Sequence, residues 1–332
     1  MPIGLLVPVV LVGWGTVCAL TSRRRLGALA RVPALVTNEL PFLGAYLLIA
    51  STVLALAQGD LDSVGGVIVA AAAAIVLLGL AVIVRRALRA NAALGNPPPL
   101  RRPWGRILRA PLPAFRRDVV RVRDLPYGEG RRRTLDVYHR RDKPAGVPTV
   151  LHFHGGGFHS GNKRREARPL LGHLAGRGMV CASANYRLRP HVAYDDQLAD
   201  ALAAIEWVQS HVEEYGGDPA RIFLVGSSAG AYLSVDAVNA DAMGIAGIVG
   251  RYGYYGSLGP DRPPPPLLVI HGENDLLVPA SRAHEFVERM RAGSSRPAHY
   301  VELPGGHHDF DLYESIRSSA VSTAVERFIA GF

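Results

Sequence analysis

Two short runs carry the residue types that acyl-transfer chemistry needs, His154-Gly155-Gly156-Gly157 and Gly226-Ser227-Ser228-Ala229-Gly230. A serine hydroxyl is a weak nucleophile until a base takes its proton, and the oxyanion formed on attack needs N–H donors placed in advance. The second run has the spacing G-x-S-x-G, follows the apolar stretch "RIFLV" and opens a segment of helical spacing. That strand–turn–helix setting is what a nucleophile elbow requires. The turn is tight enough to demand small residues two before and two after the serine, and Gly226 and Gly230 stand there. Ser228 is at the apex, whereas Ser227 lies off it and reads as structural. The first run follows "PTVLHF", so its bare backbone can turn N–H groups toward an anionic oxygen. His154 reads as a hydrogen-bonder that fixes this loop, and His152 as a core residue.

The base and the carboxylate that orients it should come from strand ends downstream of the serine. "LLVIHGENDLLVP" offers Glu273 and Asp275, and "AHYVELPGGHHDFDLYES" offers His307, His308, Asp309 and Asp311. The order serine, acid, histidine is the order α/β-hydrolases use.

The elements that must bring these groups together are legible from residue 118 onward. "DVVRVRDL" and "RTLDVYHR" alternate apolar and polar residues, as half-exposed strands do. Short buried strands are expected at "PTVLHFH", "VCASANY", "RIFLVG", "IAGIVG", "LLVIHG" and "AHYVEL", with helical segments between them. The clearest helix is "YDDQLADALAAIEWVQSHVEEYG", with Leu198, Leu202, Ile205 and Val208 on one face. Such alternation predicts a mostly parallel, doubly wound sheet, antiparallel at its start, with reactive groups at the carboxyl ends of the strands.

The set "HFHGGGF", "NYRLRP", "GSSAG", "HGENDLLVP" and "GGHHDF" resembles the hormone-sensitive-lipase-like branch of α/β-hydrolase carboxylesterases, more narrowly the actinobacterial lipases and esterases with an apolar N-terminal extension. The resemblance covers residues 119–332. It implies an α/β-hydrolase fold with Ser228 as nucleophile, Asp275 as acid and His308 as base, since the family's histidine precedes a small residue and a phenylalanine, here Asp309-Phe310. His307 is then the neighbour and the alternative base. Oxyanion donors are implied from the backbones of Gly156, Gly157 and Ala229. Two departures bear on substrate choice. The chain leaves room for only a short cap between Ser228 and Asp275, with "RYGYYGSLGPDRPPPP" as its remnant. His191 also stands where the family has a glutamate after "YRLRP".

The N-terminal third is of another kind. The chain has 332 residues and a net charge of +9, and residues 1–118 hold all of that excess, with 13 arginines against four acids. Three apolar stretches, 3–20, 40–57 and 64–84, approach the ~20 residues that span a bilayer. Arg23, Arg24, Arg25 and Arg31 follow the first and Arg85, Arg86 and Arg89 follow the third, whereas the loop "QGDLDS" has no basic residue. The positive-inside rule then puts the N-terminus outside and the hydrolase portion in the cytoplasm, on the plasma membrane. Positive charge after the first apolar run, not before it, argues against a signal peptide. Residues 1–88 are thus expected to form a membrane region and 89–118 a basic, proline-rich linker. Arg101, Arg102, Arg106, Arg109, Arg116 and Arg117, interleaved with Trp104, Ile107, Leu108, Leu112 and Phe115, suit an anionic lipid surface.

Charge confined next to apolar spans does not suit nucleic acid, and no zinc spacing or nucleic-acid-binding aromatic pattern occurs. Cys18 and Cys181 form neither a disulfide framework nor a metal site. No metal or organic cofactor is called for. The expected activity is a membrane-anchored serine carboxylester hydrolase acting on small-molecule or lipid esters. The alternatives are an arylformamidase- or peptidase-like hydrolase, or an inactive scaffold with the same fold.

Overall fold

In a computed structural model the described residues are 3–21, 27–97, 102–109, 116–240, 242–256 and 264–332. Arg23–Arg25, Arg101, Leu112 and Phe115, which carried part of the orientation and linker readings, lie outside them.

Among the described residues eight strands form one sheet: β1 (Val119–Pro126), β2 (Thr134–Arg140), β3 (Val147–Phe153), β4 (Val180–Ala184), β5 (Gly217–Ser227), β6 (Ile245–Arg251), β7 (Leu267–Gly272) and β8 (Ala298–Leu303). Their order is β1-β2-β4-β3-β5-β6-β7-β8. β1 pairs antiparallel with β2 and β2 with β4, and every later pairing is parallel. Successive side chains on a strand point to opposite faces, so each central strand feeds two cores. Val150, Phe223, Val225 and Val249 pack on one face with α6 (Arg168–Gly176) and α10 (Ile316–Ala330). Leu151, Phe153 and Leu224 pack on the other with α7 (Tyr194–His211) and α8 (Ala229–Asn239). α9 (Ala280–Gly293) closes the β7–β8 edge through Phe286, Val287 and Met290.

Ahead of the sheet lie α1 (Ile3–Leu20), α2 (Ala28–Glu39), α3 (Pro41–Ala57), α4 (Val64–Ala93) and the short α5 (Trp104–Arg109). α1 and α4 are long and apolar enough to cross a membrane, and α2 with α3 makes a pair bent by 86°. The close packing of α1, α3 and α4 uses small residues, as in membrane bundles: a Cβ on Gly44 would lie 2.9 Å from Val12, and one on Gly79 would lie 2.6 Å from Thr16. Leu11, Val67, Ile68, Ile75 and Leu78 are left bare on the outside.

Two features differ from the sequence expectation. α2 occupies a stretch read as a connecting loop; its Ala30 and Ala34 pack on Cys18 of α1 and on Leu276 beyond β7. α4 runs on to Ala93, past the expected start of the linker at 89, because Ala90 and Leu94 are buried in the same core as α6 and α10.

Candidate active site

Ser228 sits between β5 and α8 with φ 50° and ψ −116°, a strained conformation that surrounding structure must impose. Its N–H donates to the Arg251 carbonyl at 2.9 Å, which ties the turn to the end of β6. The tightness of the turn explains its glycines. A Cβ on Gly226 would lie 2.3 Å from the Ala231 Cα, and one on Gly230 would lie 2.1 Å from the Phe153 carbonyl oxygen. Both obstacles are backbone and cannot swing aside. Gly230→Ala is therefore expected to cost about 1–3 kcal/mol or more in stability, read as a fall in Tm of the purified protein. An unchanged Tm would contradict this account of the turn.

The structure brings Ser228, His308 and Asp275 into one chain. His308 Nε2 lies 3.1 Å from Ser228 Oγ, and its Nδ1 lies 2.7 Å from Asp275 Oδ2. An acceptor carboxylate on one side fixes the proton on Nδ1 and leaves Nε2 to accept from the hydroxyl. Asp275 is heavily bonded for a buried carboxylate. Its Oδ1 accepts from the Leu277 and Val278 N–H groups at 2.8 and 2.9 Å, and His271 Nε2 lies 3.2 Å from Oδ2. Burial alone would raise its pKa, but the bonds from His271 and His308 outweigh that and hold it well below the usual carboxylate range. Burial pushes His308 down, yet Asp275, with Asp309 and Glu166 nearby, raises it above its ordinary value.

His307 turns away from this chain: its Nε2 lies 3.2 Å from the Ala19 carbonyl, and burial lowers its pKa. Of the other acids weighed, Glu273 accepts from the Gly305 N–H at 2.7 Å, and Asp311 accepts from the buried Arg251. Asp309 lies 3.8 Å from His308 Nε2 and from Arg165. Ser227 is buried beneath the turn, 3.1 Å from His152 Nε2 and bonded at 2.7 Å to Arg251 Nη2. His152 is fully buried and also meets Ser183 Oγ at 2.9 Å; burial and the nearby Arg251 keep it neutral.

The glycine loop reaches the same place from β3. Gly156 has φ 114°, open only to glycine at little cost, and its carbonyl accepts from the His159 and Ser160 N–H groups at 3.1 and 3.0 Å. His154 donates Nδ1–H to the Gly155 carbonyl at 2.7 Å and stacks on Tyr186 with ring centroids 4.3 Å apart. Burial lowers its pKa to about 4, so the ring is neutral. Ala229 opens α8 directly after Ser228, which puts its backbone beside the same turn. Phe158, Tyr194 and Tyr232 form a ring cluster next to the loop, with centroids 5.2 to 6.0 Å apart, and Tyr254 stacks on its outer side. His191 is exposed.

Several residues escaped the sequence reading. Glu166 accepts the Gly155 N–H at 2.6 Å, with its pKa raised by burial. Arg251 is fully buried and joins Ser227 to Asp311, which also accepts from the Tyr252 hydroxyl. His271 backs Asp275. The "RYGYYG" expected to begin a cap is instead mostly interior: Arg251 ends β6, and Tyr252 and Tyr255 are buried. Residues 257–263, the rest of that expected cap, lie outside the described residues.

Comparison with known proteins gives a consistent picture. The family profile BD-FAE matches residues 135–252. The probable carboxylic ester hydrolase LipM of Mycobacterium tuberculosis is 34% identical over 266 residues, 64% of this chain and 62% of the relative. Esterase LipQ of the same organism is 29% identical, over 64% of this chain and 63% of the relative. The chain therefore matches a little under two thirds of the length of these relatives. Among solved structures, esterase B of Lactobacillus rhamnosis superposes with a TM-score of 0.56 at 18% identity, covering 76% of this chain and 94% of that one. A truncated carbohydrate esterase from gut microbiota gives 0.54 at 16% identity, covering 64% and 97%. At such identities the structures speak for the fold alone, an α/β-hydrolase fold. The mycobacterial relatives and the five motifs support the resemblance to the hormone-sensitive-lipase-like α/β-hydrolase carboxylesterases.

Proposed function

We propose that the chain is a membrane-anchored serine carboxylester hydrolase. The observation that carries this reading is the unbroken chain from Ser228 Oγ through His308 to Asp275 at the carboxyl ends of β5, β7 and β8. In the proposed cycle His308 Nε2 takes the Ser228 proton as Oγ attacks the ester carbonyl carbon. The negative oxygen is met by backbone N–H groups of Gly156, Gly157 and Ala229, each such donor contributing about 3 kcal/mol. Collapse breaks the ester C–O bond, the alcohol leaves with the proton from His308, and water repeats the sequence to release the acid. Asp275 holds the imidazole tautomer and stabilises the imidazolium without accepting its proton. The aromatic cluster of Phe158, Tyr194 and Tyr232 suits an ester with an apolar acyl or alcohol part.

Three parts follow in this reading: a membrane region over 1–88 whose last helix continues to Ala93, a basic linker from there to 118 and the hydrolase portion over 119–332. α1 and α4 both end next to the sheet portion, at Ala19 and Ala90, and α3 leads away from it. That path agrees with an N-terminus outside and with the basic loop and the hydrolase portion together on the cytoplasmic side. α2 would then lie along the surface, near anionic headgroups and the lipid esters among them.

The test is a fluorophosphonate probe on full-length protein in detergent, read by intact mass, with turnover of p-nitrophenyl esters from C2 to C16. One adduct per chain and measurable hydrolysis are expected, and the chain-length profile separates soluble from lipid-like substrates. Folded protein that neither labels nor turns over would leave the inactive-scaffold reading in its place.

A further inference from the structure

The histidine loop contains Gly305 and Gly306 and has little stiffness of its own, yet His308 must hold its distance to Ser228 closely. Sheet elements supply part of the support: Gly305 N–H donates to Glu273 at 2.7 Å, and the Gly306 carbonyl accepts from Asn274 N–H at 2.8 Å. The remainder comes from the apolar N-terminal helices together with α10. Asn38, the penultimate residue of α2, donates Nδ2–H to the Gly305 carbonyl at 3.0 Å and to Glu39 Oε1 at 2.9 Å. Arg317 of α10 donates to the Asn38 carbonyl at 3.1 Å, to Glu39 Oε1 at 3.2 Å and to the Pro304 carbonyl at 3.2 Å. Ser315 Oγ donates to Glu39 Oε2 at 2.6 Å. On the far side of the loop, His307 Nε2 meets the Ala19 carbonyl of α1. Asn38, Glu39, Ser315 and Arg317 are each no more than 3% exposed. The acid side is braced too, since Leu276, next to Asp275, packs on Cys18, Ala30 and Ala34.

A buried ion pair of this kind is weak evidence for stability, because desolvation offsets most of its attraction. Its bonds converge instead on the backbone of residues 304 and 305, four and three positions before His308. We propose that Asn38 is a positioning residue for His308, so that the N-terminal helices complete the active site as well as carrying it. This rests on the reading of Ser228, His308 and Asp275 as the reacting groups. Displacement of a reacting group by about 1 Å costs on the order of 100-fold in rate. Loss of one of the several bonds to this loop is expected to cost about 10-fold.

The experiment compares full-length wild type with Asn38→Ala in the same detergent. kcat for p-nitrophenyl butyrate should fall about 10-fold with KM within about twofold. The acid limb of the kcat/KM profile should move to lower pH, as a looser His308 loses part of its attraction to Asp275. The groups facing His308 are Asp275, Asp309, Glu166 and the Tyr252 ring, and the substitution touches none of them. Hydrogen exchange over residues 303–310 should quicken. A purely structural role would lower Tm while leaving kcat, the pH limb and exchange in this loop unchanged, and that result overturns the proposal. If wild type itself neither labels nor turns over, the hydrolase reading fails, and exchange over 303–310 still decides whether Asn38 holds the loop. Should Asn38→Ala not fold, Asn38→Ser is the milder variant, too short to reach the Gly305 carbonyl, and the same readouts apply.

Discussion

Ser228→Ala is expected to abolish the fluorophosphonate adduct and to lower kcat by at least about 10⁴-fold, since losing the nucleophile of such a set removes nearly all of its rate advantage. Ser227→Ala provides the contrast, one residue away. The Ser227 hydroxyl is buried between His152 and Arg251 and does not face the His308 imidazole. Its removal leaves a buried guanidinium and a buried ring nitrogen short of a partner, which costs about 1–3 kcal/mol each in stability. The expected pattern is thus a dead but stable Ser228→Ala and a labelled, less stable Ser227→Ala. Intact mass after labelling and thermal unfolding of both variants read this directly. The reverse pattern would move the nucleophile to Ser227 and undo the assignment of the turn.

Asp275→Asn is the second large effect. The amide keeps the shape but presents no charge to His308, and an Asn that offers N–H to Nδ1 holds the imidazole in the wrong tautomer. kcat is expected to fall about 10⁴-fold. The pH profile should move as well, and its sign follows from the causes. In wild type His308 titrates above its ordinary 6.5 because Asp275 outweighs burial, and catalysis needs the neutral ring. kcat/KM should therefore rise with pH and reach half its plateau above pH 6.5. Without the carboxylate, burial is left as the main influence, and the limb moves to lower pH. The pair bears on stability in both directions. The raised His308 contributes stability that is full below pH 6.5 and lost as pH rises through its folded value. The depressed Asp275 contributes above its ordinary 3.8 and loses it as acid is added. Turnover measured from pH 5 to 9 for both proteins checks the shift; an unmoved limb would mean that another group titrates.

The grouping of the candidate site residues was legible because it is written locally. An elbow needs its glycines two residues either side of one serine, so Gly226, Ser228 and Gly230 announce the turn before any fold is known. The glycine run after β3 and the histidines after β8 are likewise short words placed at strand ends. What escaped the reading is held by partners distant along the chain. Glu166 supports Gly155 from 11 residues away, Arg251 reaches Asp311 over 60, and Arg317 reaches Glu39 over 278. No spacing rule links such pairs. α2 was hidden for a related reason. Its sequence, "ALARVPALVTNE", contains Pro33 and several residues of weak helix preference, and the burial of Ala30 and Ala34 that favours the helix exists only once Leu276 is opposite. Within the segment expected to form the short cap, Tyr252 and Tyr255 turn inward, a choice that composition alone does not reveal.

α4 passes from its apolar stretch to Leu94 at the sheet without a hinge, a rod of about 45 Å at 1.5 Å per residue. A rod gripped at both ends transmits tilt and rotation instead of absorbing them. With the bundle seated in a bilayer as proposed, Ser228, His308 and Asp275 would be kept at a fixed height and bearing relative to it, and the search for a substrate would be reduced from a volume to a plane. In that reading bilayer thickness, which sets the lean of such a rod, would become a mechanical input to which esters the proposed nucleophile can reach.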